Sequence, residues 1–557
     1  MAIYEEKQPL TGKSILLLIF AFAAIYFPLQ LGDWELRWKE DRFATIASEM
    51  DLMHPYTIAH GEQVPLVTPI FPWLTAALHQ TGLSFEFCLR LISVASLAAL
   101  IILTWEAGKR ANDLQTAVVS AAMMCSSIVI IEKATDGYPN LTGLLFLFSA
   151  WLAWFTFGVA RGRWNIAWII SFFFCSMAFL TIGCIGIILF IVPLIFMRRP
   201  MTVWPKMTKP GFFLGVMLLL FVILIWVVPR IMLADHIPFR DIDLSIDSPA
   251  KYTKHLLTFP LAIISRYFPW SFIAWPAFCV AYFPLDKNPI FSRFLRTIVI
   301  SIFFLLWLSP TTDARDFIYI APPLAILCGI NYWLLVRRHG YFLHTLFRYF
   351  LYLTIAIATV IIIFYFLPDS ILLQMPYIKE KNIAFRTGNT IAGILQAAIA
   401  LIITLIVLRF KKGTVPIYAN ILFICLGGAL CFWAVHIPYR KQHTEKKDLG
   451  TAFRNILKED LHIAKSGQLP KDLTVFKGPG IKGFYAPCIY MGTRVKKVHK
   501  LTELPDNLDT IYMITRKFPV SAKRKWVYVT PKEKPHIYKD DKFYILKGIK
   551  IREKEKK

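Results

Sequence analysis

Apolar and polar positions divide this chain into two stretches of different character. From about residue 14 to 437 it is a succession of long apolar runs separated by short polar or basic segments. Candidate runs lie at 14–32, 84–105, 115–133, 141–160, 165–181, 183–198, 211–229, 258–283, 294–310, 317–336, 347–367, 389–408 and 417–437. About 20 apolar residues cover the roughly 30 Å hydrocarbon core of a bilayer, so the pattern predicts about thirteen membrane-spanning helices. The pair at 165–181 and 183–198 leaves almost no room for a loop and predicts a tight hairpin around Thr181–Cys184. The first outer loop, 32–84, is long. Within it Arg42–Met53 has helical spacing, and Pro69–Leu78 is apolar enough to lie at an interface.

From Tyr439 onward the chain is polar and Lys-rich. Residues 447–466 have the spacing of an amphipathic helix, and Gly483–Met491 of a second helix. Leu473–Phe476, Thr510–Thr515, Trp526–Val529 and Phe543–Leu546 read as short strands. The expected fold is an all-α polytopic membrane domain over 1–438, followed by a soluble α/β domain over 439–557.

Composition agrees: 56% of residues are hydrophobic and 18% charged, against about a quarter charged in soluble domains. The net charge of +26 does not indicate a nucleic-acid partner, because much of it lies in short loops where Lys and Arg set topology. With the N-terminus in the cytoplasm, the cytoplasmic loops hold Lys109-Arg110, Arg161 and Arg163, Arg198-Arg199, Lys287 with Arg293 and Arg296, Arg337-Arg338, and Arg409 with Lys411-Lys412. An odd number of spans then puts the C-terminal domain on the outer side of an inner, plasma membrane. There Lys465, Lys471, Lys496, Lys497, Lys523, Arg524 and Lys525 would face solvent or anionic headgroups. The first apolar run has no small-residue cleavage site after it, which predicts no cleaved leader. Eight of the nine cysteines lie in apolar runs and Cys488 stands alone in the tail, so no disulfide framework is expected.

The long loops on the outer side have room to build a site. At the membrane edge, Lys39-Glu40-Asp41-Arg42 interleaves carboxylates with cations. A carboxylate there suits a general base, and an Arg or Lys suits a phosphate; an interfacial belt of snorkelling charges is the structural alternative. Asp136 follows the third run. Arg266 lies before Tyr267-Phe268-Pro269-Trp270-Ser271, and Arg315 sits between Asp313 and Asp316. Outer-edge arginines are costly unless something anionic meets them, whether a lipid phosphate or those aspartates. The outer-loop histidines, His54, His60, His236 and His255, lack metal-ligand spacing. No phosphate-cradling glycine loop, nucleophile elbow, dinucleotide fingerprint or inverted repeat is present, which argues against ATP-driven and secondary transport.

Glu40-Asp41-Arg42-Phe43-Ala44-Thr45-Ile46-Ala47-Ser48-Glu49-Met50 is similar to a segment of the glycosyltransferases that take a sugar from a polyprenyl phosphate at the outer membrane face. These include the aminoarabinose transferases acting on lipid A and the protein O-mannosyltransferases. Pro69–Leu74, Phe179–Gly183, Pro269–Ser271 and Pro322–Ala325 resemble further motifs of that family, and the likeness extends along the whole chain. Where the family has its catalytic Asp, its loop Lys and its hairpin Lys, this chain has Lys39, Val67 and Ile182. The resemblance implies a polyprenyl-phosphate-linked sugar as donor, and an envelope lipid, glycan or protein as acceptor. Glu40 or Asp41 would then take the acceptor proton or hold a divalent cation, with Asp136 the family's carboxylate after the third span. Lys39, Arg42, Arg266 and Arg315 would offset the phosphate charge. The altered positions keep a second expectation open: a relative that binds a lipid-linked sugar, or scaffolds an envelope assembly, without catalysis.

Overall fold

The computed structural model describes residues 11–26, 32, 34–37, 39–50, 58–63, 68–233, 249–372, 374, 390–410, 414–442, 444–464, 467–470, 472–479, 481, 484–516, 518–519, 524–530, 536–538 and 541–551. They fall into two compact units. The first comprises Met1–Leu31, Arg90–Trp226 and Phe239–Gln442, and the second Gly32–Leu89, Val227–Pro238 and His443–Lys557. The first outer loop thus belongs to the same unit as the C-terminal domain.

The first unit is helical. Among the described residues eight helices are long and apolar enough to cross a membrane, or ten if each of two bent pairs is one span. The sequence count of thirteen exceeds this for identifiable reasons. The runs at 14–32 and 183–198 fall on shorter apolar helices, Thr11–Tyr26 and Cys184–Ile195. The runs at 317–336 and 347–367 fall in one helical stretch, Ala321–Phe366. That stretch is not straight. Tyr267 Oη donates to the carbonyl of Phe317 at 2.7 Å, while the neighbouring Phe268 ring packs on Phe350 with centroids 5.1 Å apart. In a straight helix, at about 1.5 Å per residue, Phe317 and Phe350 would be about 50 Å apart. Tyr332 Oη accepts from the amide of Tyr418 at 3.0 Å, and His344 Nδ1 lies 3.4 Å from Asn420 Nδ2. The chain therefore bends back between Phe317 and Phe350.

The expected hairpin at 181–184 is present. Helices Trp164–Ile182 and Cys184–Ile195 meet at Gly183, whose φ of 76° and ψ of −157° lie in a region open essentially to glycine alone. Ile182, at the family's lysine position, packs its side chain against Gly143, where a Cβ would meet Ile182 Cγ2 at 2.3 Å.

Two breaks shape the helices further. Leu114–Ser126 and Ile128–Ala134 bend by 55°, and Pro249–Arg266 and Ser271–Phe278 by 101°. Pro269 supplies no amide proton to continue the second helix. Trp270, fully buried, donates its indole N–H to Ser126 Oγ at 2.9 Å and so fastens one break to the other.

The second unit contains a mixed sheet. Its strands are β1 (Ile58–Ala59), β2 (Glu62–Gln63), β3 (Thr474–Lys477), β4 (Arg494–Lys497), β5 (Thr510–Thr515), β6 (Arg524–Tyr528), β7 (His536–Tyr538) and β8 (Asp541–Lys550). β1 and β2 form a separate small hairpin. The main order is β4-β3-β5-β8-β6, with β7 also paired to β8. β3 runs parallel to β4 and β5, whereas β8 is antiparallel to β5 and β6. Helices Glu445–Asp460 and Tyr485–Met491 cover one face through Leu449, Phe453, Leu457, Cys488 and Met491. The expected tail strands and helices are all found, though the first helix ends at Asp460 rather than at 466. β4 and β7 were missed, β4 because Arg494-Val495-Lys496-Lys497 offers a single apolar position and β7 because it spans three residues.

Candidate functional site

Four of the sequence-predicted residues, Lys39, Glu40, Asp41 and Arg42, lie at the start of helix Glu40–Glu49 in the second unit. Carboxylates are favoured there by the amide ends of the helix. Lys39 is exposed, whereas Glu40 and Asp41 are buried. Glu40 accepts from the amide of Arg37 at 2.9 Å, and its own amide donates back to the Arg37 carbonyl at 2.6 Å.

Asp41 lies 3.7 Å from Lys446 Nζ. Burial pushes its carboxyl up to about 6, against the opposing pull of Lys446 and of the amides of Arg42 and Ala486. Ala486 is in the first turn of helix Tyr485–Met491, so Asp41 caps a helix of the tail domain. Glu35 does the same for helix Glu445–Asp460, accepting from the amides of Lys446 at 2.9 Å and Lys447 at 3.2 Å. Lys446 Nζ returns a bond to the Leu36 carbonyl at 3.1 Å. Tyr490 Oη accepts from the Leu36 amide at 2.8 Å and donates to Glu86 Oε1 at 2.8 Å. Two acids of the first loop thus terminate two helices that lie hundreds of residues away in sequence.

Further along the loop, Glu49 accepts from the amides of His60 at 2.8 Å and Gly61 at 3.0 Å. Burial lifts its carboxyl to about 7. The His60 carbonyl accepts from the Lys497 amide of β4 at 2.8 Å, and Lys497 Nζ pairs with Glu62 at 2.8 Å.

The remaining predicted residues, Asp136, Arg266 and Arg315, lie in the first unit around the end of helix Ile128–Ala134. Arg266 Nη1 pairs with Glu132 Oε2 at 2.5 Å. Arg315 Nε is 3.6 Å from Asp313 Oδ2, both of them substantially exposed. Asp313 and Asp316 form a capping box at the start of Ala314–Ile320. Asp136 is half-buried, and its carbonyl accepts from Ser93 Oγ at 3.0 Å. Lys133, next to Glu132, stands over the Tyr138 ring at 5.8 Å and lies within electrostatic range of Asp136, Asp313, Arg315 and Asp316. Arg266 and Arg315 therefore flank adjacent residues of one helix end. Each has an acidic partner, and Glu132 was not among the sequence candidates.

Other sequence candidates are dispersed. Arg524 is buried and donates to the carbonyls of Pro505 at 2.6 Å and Leu508 at 2.7 Å, so it is no part of a basic face. Lys465, Lys471, Lys523, Val67, His54 and His236 lie outside the described residues. Among the described residues no three His, Cys, Asp or Glu side chains converge as metal ligands.

No family model matches the chain, and no curated protein matches it in sequence. Solved structures do match it in fold. ArnT from Cupriavidus metallidurans bound to undecaprenyl phosphate superposes with a TM-score of 0.62 at 16% identity, covering 97% of this chain and 98% of that one. The same protein in the apo state gives 0.61 at 16% identity over 96% and 98%. The apo oligosaccharyltransferase of Archaeoglobus fulgidus gives 0.42 at 11% identity, over 88% of this chain and 65% of that one. The fold implied by the motif resemblance, that of the aminoarabinose transferases, is the fold of this chain.

Proposed function

We propose that this protein is a membrane glycosyltransferase. It moves a sugar from a polyprenyl-phosphate donor to a lipid, glycan or protein acceptor at the outer face of the inner membrane. The observation that carries this reading is the end-to-end match to the fold of ArnT, a protein solved with undecaprenyl phosphate. In the reaction an acceptor O–H or N–H attacks the anomeric carbon. The bond from that carbon to the phosphate oxygen breaks, polyprenyl phosphate departs, and the acceptor proton passes to a carboxylate. Asp41 suits that last role, because a carboxyl lifted to about 6 is matched to proton transfer near neutrality; Glu40 is the alternative. Arg42, Arg266, Arg315 and Lys39 are the cations proposed for phosphate charge, and Asp136 the accessory carboxylate. The N-terminus is placed in the cytoplasm and the tail domain outside, on the loop charges.

One observation favours a second reading, a relative that binds the lipid-linked sugar without turning it over. Ile182 stands where the family has a lysine and is packed against Gly143.

The test is transfer by the purified full chain from a polyprenyl-phosphate sugar, with the acceptor identified by mass spectrometry of envelope glycolipids and glycoproteins from cells with and without the gene. Asp41→Asn should lower turnover by about 10²-fold or more without lowering the unfolding temperature, because asparagine still caps a helix. Full turnover in both Asp41→Asn and Glu40→Gln rejects the base assignment. Donor binding with no turnover in the unaltered chain selects the second reading.

A further inference from the structure

The second unit buries a group of nitrogen donors that its own acceptors do not satisfy. Lys477, at the end of β3, is 2% exposed. Among the described residues it forms no ion pair. Its Nζ lies 3.3 Å from His60 Nδ1 and stands over the Tyr485 ring at 5.2 Å. A lysine removed from water without an anion costs several kcal/mol.

His60 is also 2% exposed. Burial, together with the charges of Lys477 and Lys497, holds its imidazole down to about 3, so the ring is neutral. A neutral ring whose Nδ1 accepts from the Lys477 ammonium must carry its proton on Nε2. That Nε2 is buried and has no partner among the described residues. The ring cannot readily turn to find one, because it is stacked on Tyr485 at 4.9 Å and 25°. Its backbone is pinned by the Glu49 bond and by the bond to Lys497. The third donor is Arg42. Its Nε is buried without a partner among the described residues, and its charge reaches the same Tyr485.

Three donors from three separate elements thus meet around one tyrosine ring with unused capacity. Native interiors seldom leave such groups unsatisfied without a ligand or water to take them up. Two positive charges and a neutral N–H match the oxygens of one anion. We infer that Lys477, His60 and Arg42 form a binding site for an oxyanion of the phosphate-ester class. Its source is either free phosphate or the headgroup of a phosphorylated lipid. The inference goes beyond the transferase reading; the two share Arg42, whereas Lys477 and His60 belong to this site alone, so dependence on Lys477 tests it separately.

The experiment uses the full chain in detergent and in nanodiscs. Saturable binding is measured for inorganic phosphate, at constant ionic strength against chloride, and for phosphatidate in nanodiscs against phosphatidylcholine alone. Saturation by inorganic phosphate assigns a free anion, and saturation only by phosphatidate assigns a lipid headgroup. Either supports the site, provided Lys477→Met weakens it by about 10-fold or more and Lys525→Met, an exposed control, does not. If Lys477→Met does not fold, Arg42→Gln, at a half-buried position, must produce a weakening of the same kind. Binding of neither probe to the unaltered chain overturns the inference. So does equal weakening by Lys477→Met and Lys525→Met, and so does an unaltered affinity in both Lys477→Met and Arg42→Gln. None of these outcomes depends on sugar transfer, so the site and the transferase reading can fail separately.

Discussion

One deeply buried cation in each unit is handled differently. In the helical unit a buried cation meets its anion. Arg296, 9% exposed, pairs through Nη2 with the fully buried Asp286 at 2.5 Å. It also donates through Nε to the Ala277 carbonyl at 2.6 Å and lies 3.8 Å from the Phe283 ring centroid. In the unit of loop and tail the buried cation Lys477 meets a neutral imidazole, and carboxyls at Asp41 and Glu49 are lifted by burial. Unpaired charge inside an apolar bundle has no water to fall back on, so pairing there is a condition of folding. A domain built on a soluble sheet can tolerate strained protonation equilibria, and such groups tend to gather at functional sites. The contrast poses a question for Arg266 and Arg315, the charges of the first unit proposed to meet phosphate: whether they serve structure alone.

The largest effect that contrast predicts is in the helical unit. Arg296→Met leaves Asp286 buried without its cation and should cost about 3–5 kcal/mol, as breaking one side of a buried pair does. The measurement is thermal unfolding of the purified chain. Adding Asp286→Leu should restore much of the loss, because an apolar pair replaces a buried ion pair at little cost. A single substitution that leaves the unfolding temperature unchanged would remove the structural half of the contrast. Arg296 had been read from sequence as one of the cytoplasmic charges that set topology. Its burial shows that a basic residue in a short loop can be fixed by a partner as well as by the membrane.

The helical membrane unit was legible because apolar length alone determines such helices, though not their number, and the hairpin because Thr181–Cys184 leaves space for nothing else. The runs at 317–336 and 347–367 were read as two spans, whereas the backbone stays helical from Ala321 to Phe366. The ties between loop and tail could not be read. Leu36 meets Tyr490, and Asp41 meets Lys446; no periodicity links residues so far apart. The same holds for Arg266 and Glu132, which two separate helix breaks bring together. Motif resemblance located Glu40, Asp41 and Arg42. It gave no sign that Asp41 also caps a helix, or that Lys477 and His60 lie within the same unit.

A moderate effect is expected from pH in the loop-and-tail unit. Folding raises the Glu49 carboxyl from 4.5 to about 7 and that of Asp41 from 3.8 to about 6. Each favours the folded state fully below its unfolded value, and that contribution is lost as pH rises through the folded one. His60 acts in the other direction. Its folded value of about 3 contributes stability above 6.5 that disappears as pH falls toward 3. Between pH 6.5 and 8 the histidine's opposing slope fades while Glu49 still releases its proton in the folded state, so stability should decline with rising pH. Glu49→Gln should flatten most of that decline in unfolding scans taken across this range. An unchanged slope would mean that Glu49 is not the group holding the proton.

The smallest stability effects, and the sharpest test of the contrast, concern Arg266 and Arg315. If they serve structure alone, each is worth what a partly exposed pair is worth. Arg315 and Asp313 are 43% and 65% exposed, so solvent screens them and Arg315→Gln should change stability by well under about 1 kcal/mol. Arg266 and Glu132 are 25% and 38% exposed, and Arg266→Gln should cost at most about 1 kcal/mol. If instead the arginines meet a departing phosphate, their effect appears in the rate. A charge-assisted bond formed mainly in the transition state is worth about 1.5–3 kcal/mol, or roughly 10- to 150-fold in turnover. Glu132→Gln separates the two roles. It frees Arg266 from its acid, so it should cost stability about as much as Arg266→Gln does while leaving turnover intact or raised. A loss of turnover that matches the loss of folded protein in all three variants would confine these arginines to structure. A fall in kcat at unchanged unfolding temperature in Arg266→Gln, with none in Glu132→Gln, would place chemistry in the helical unit as well.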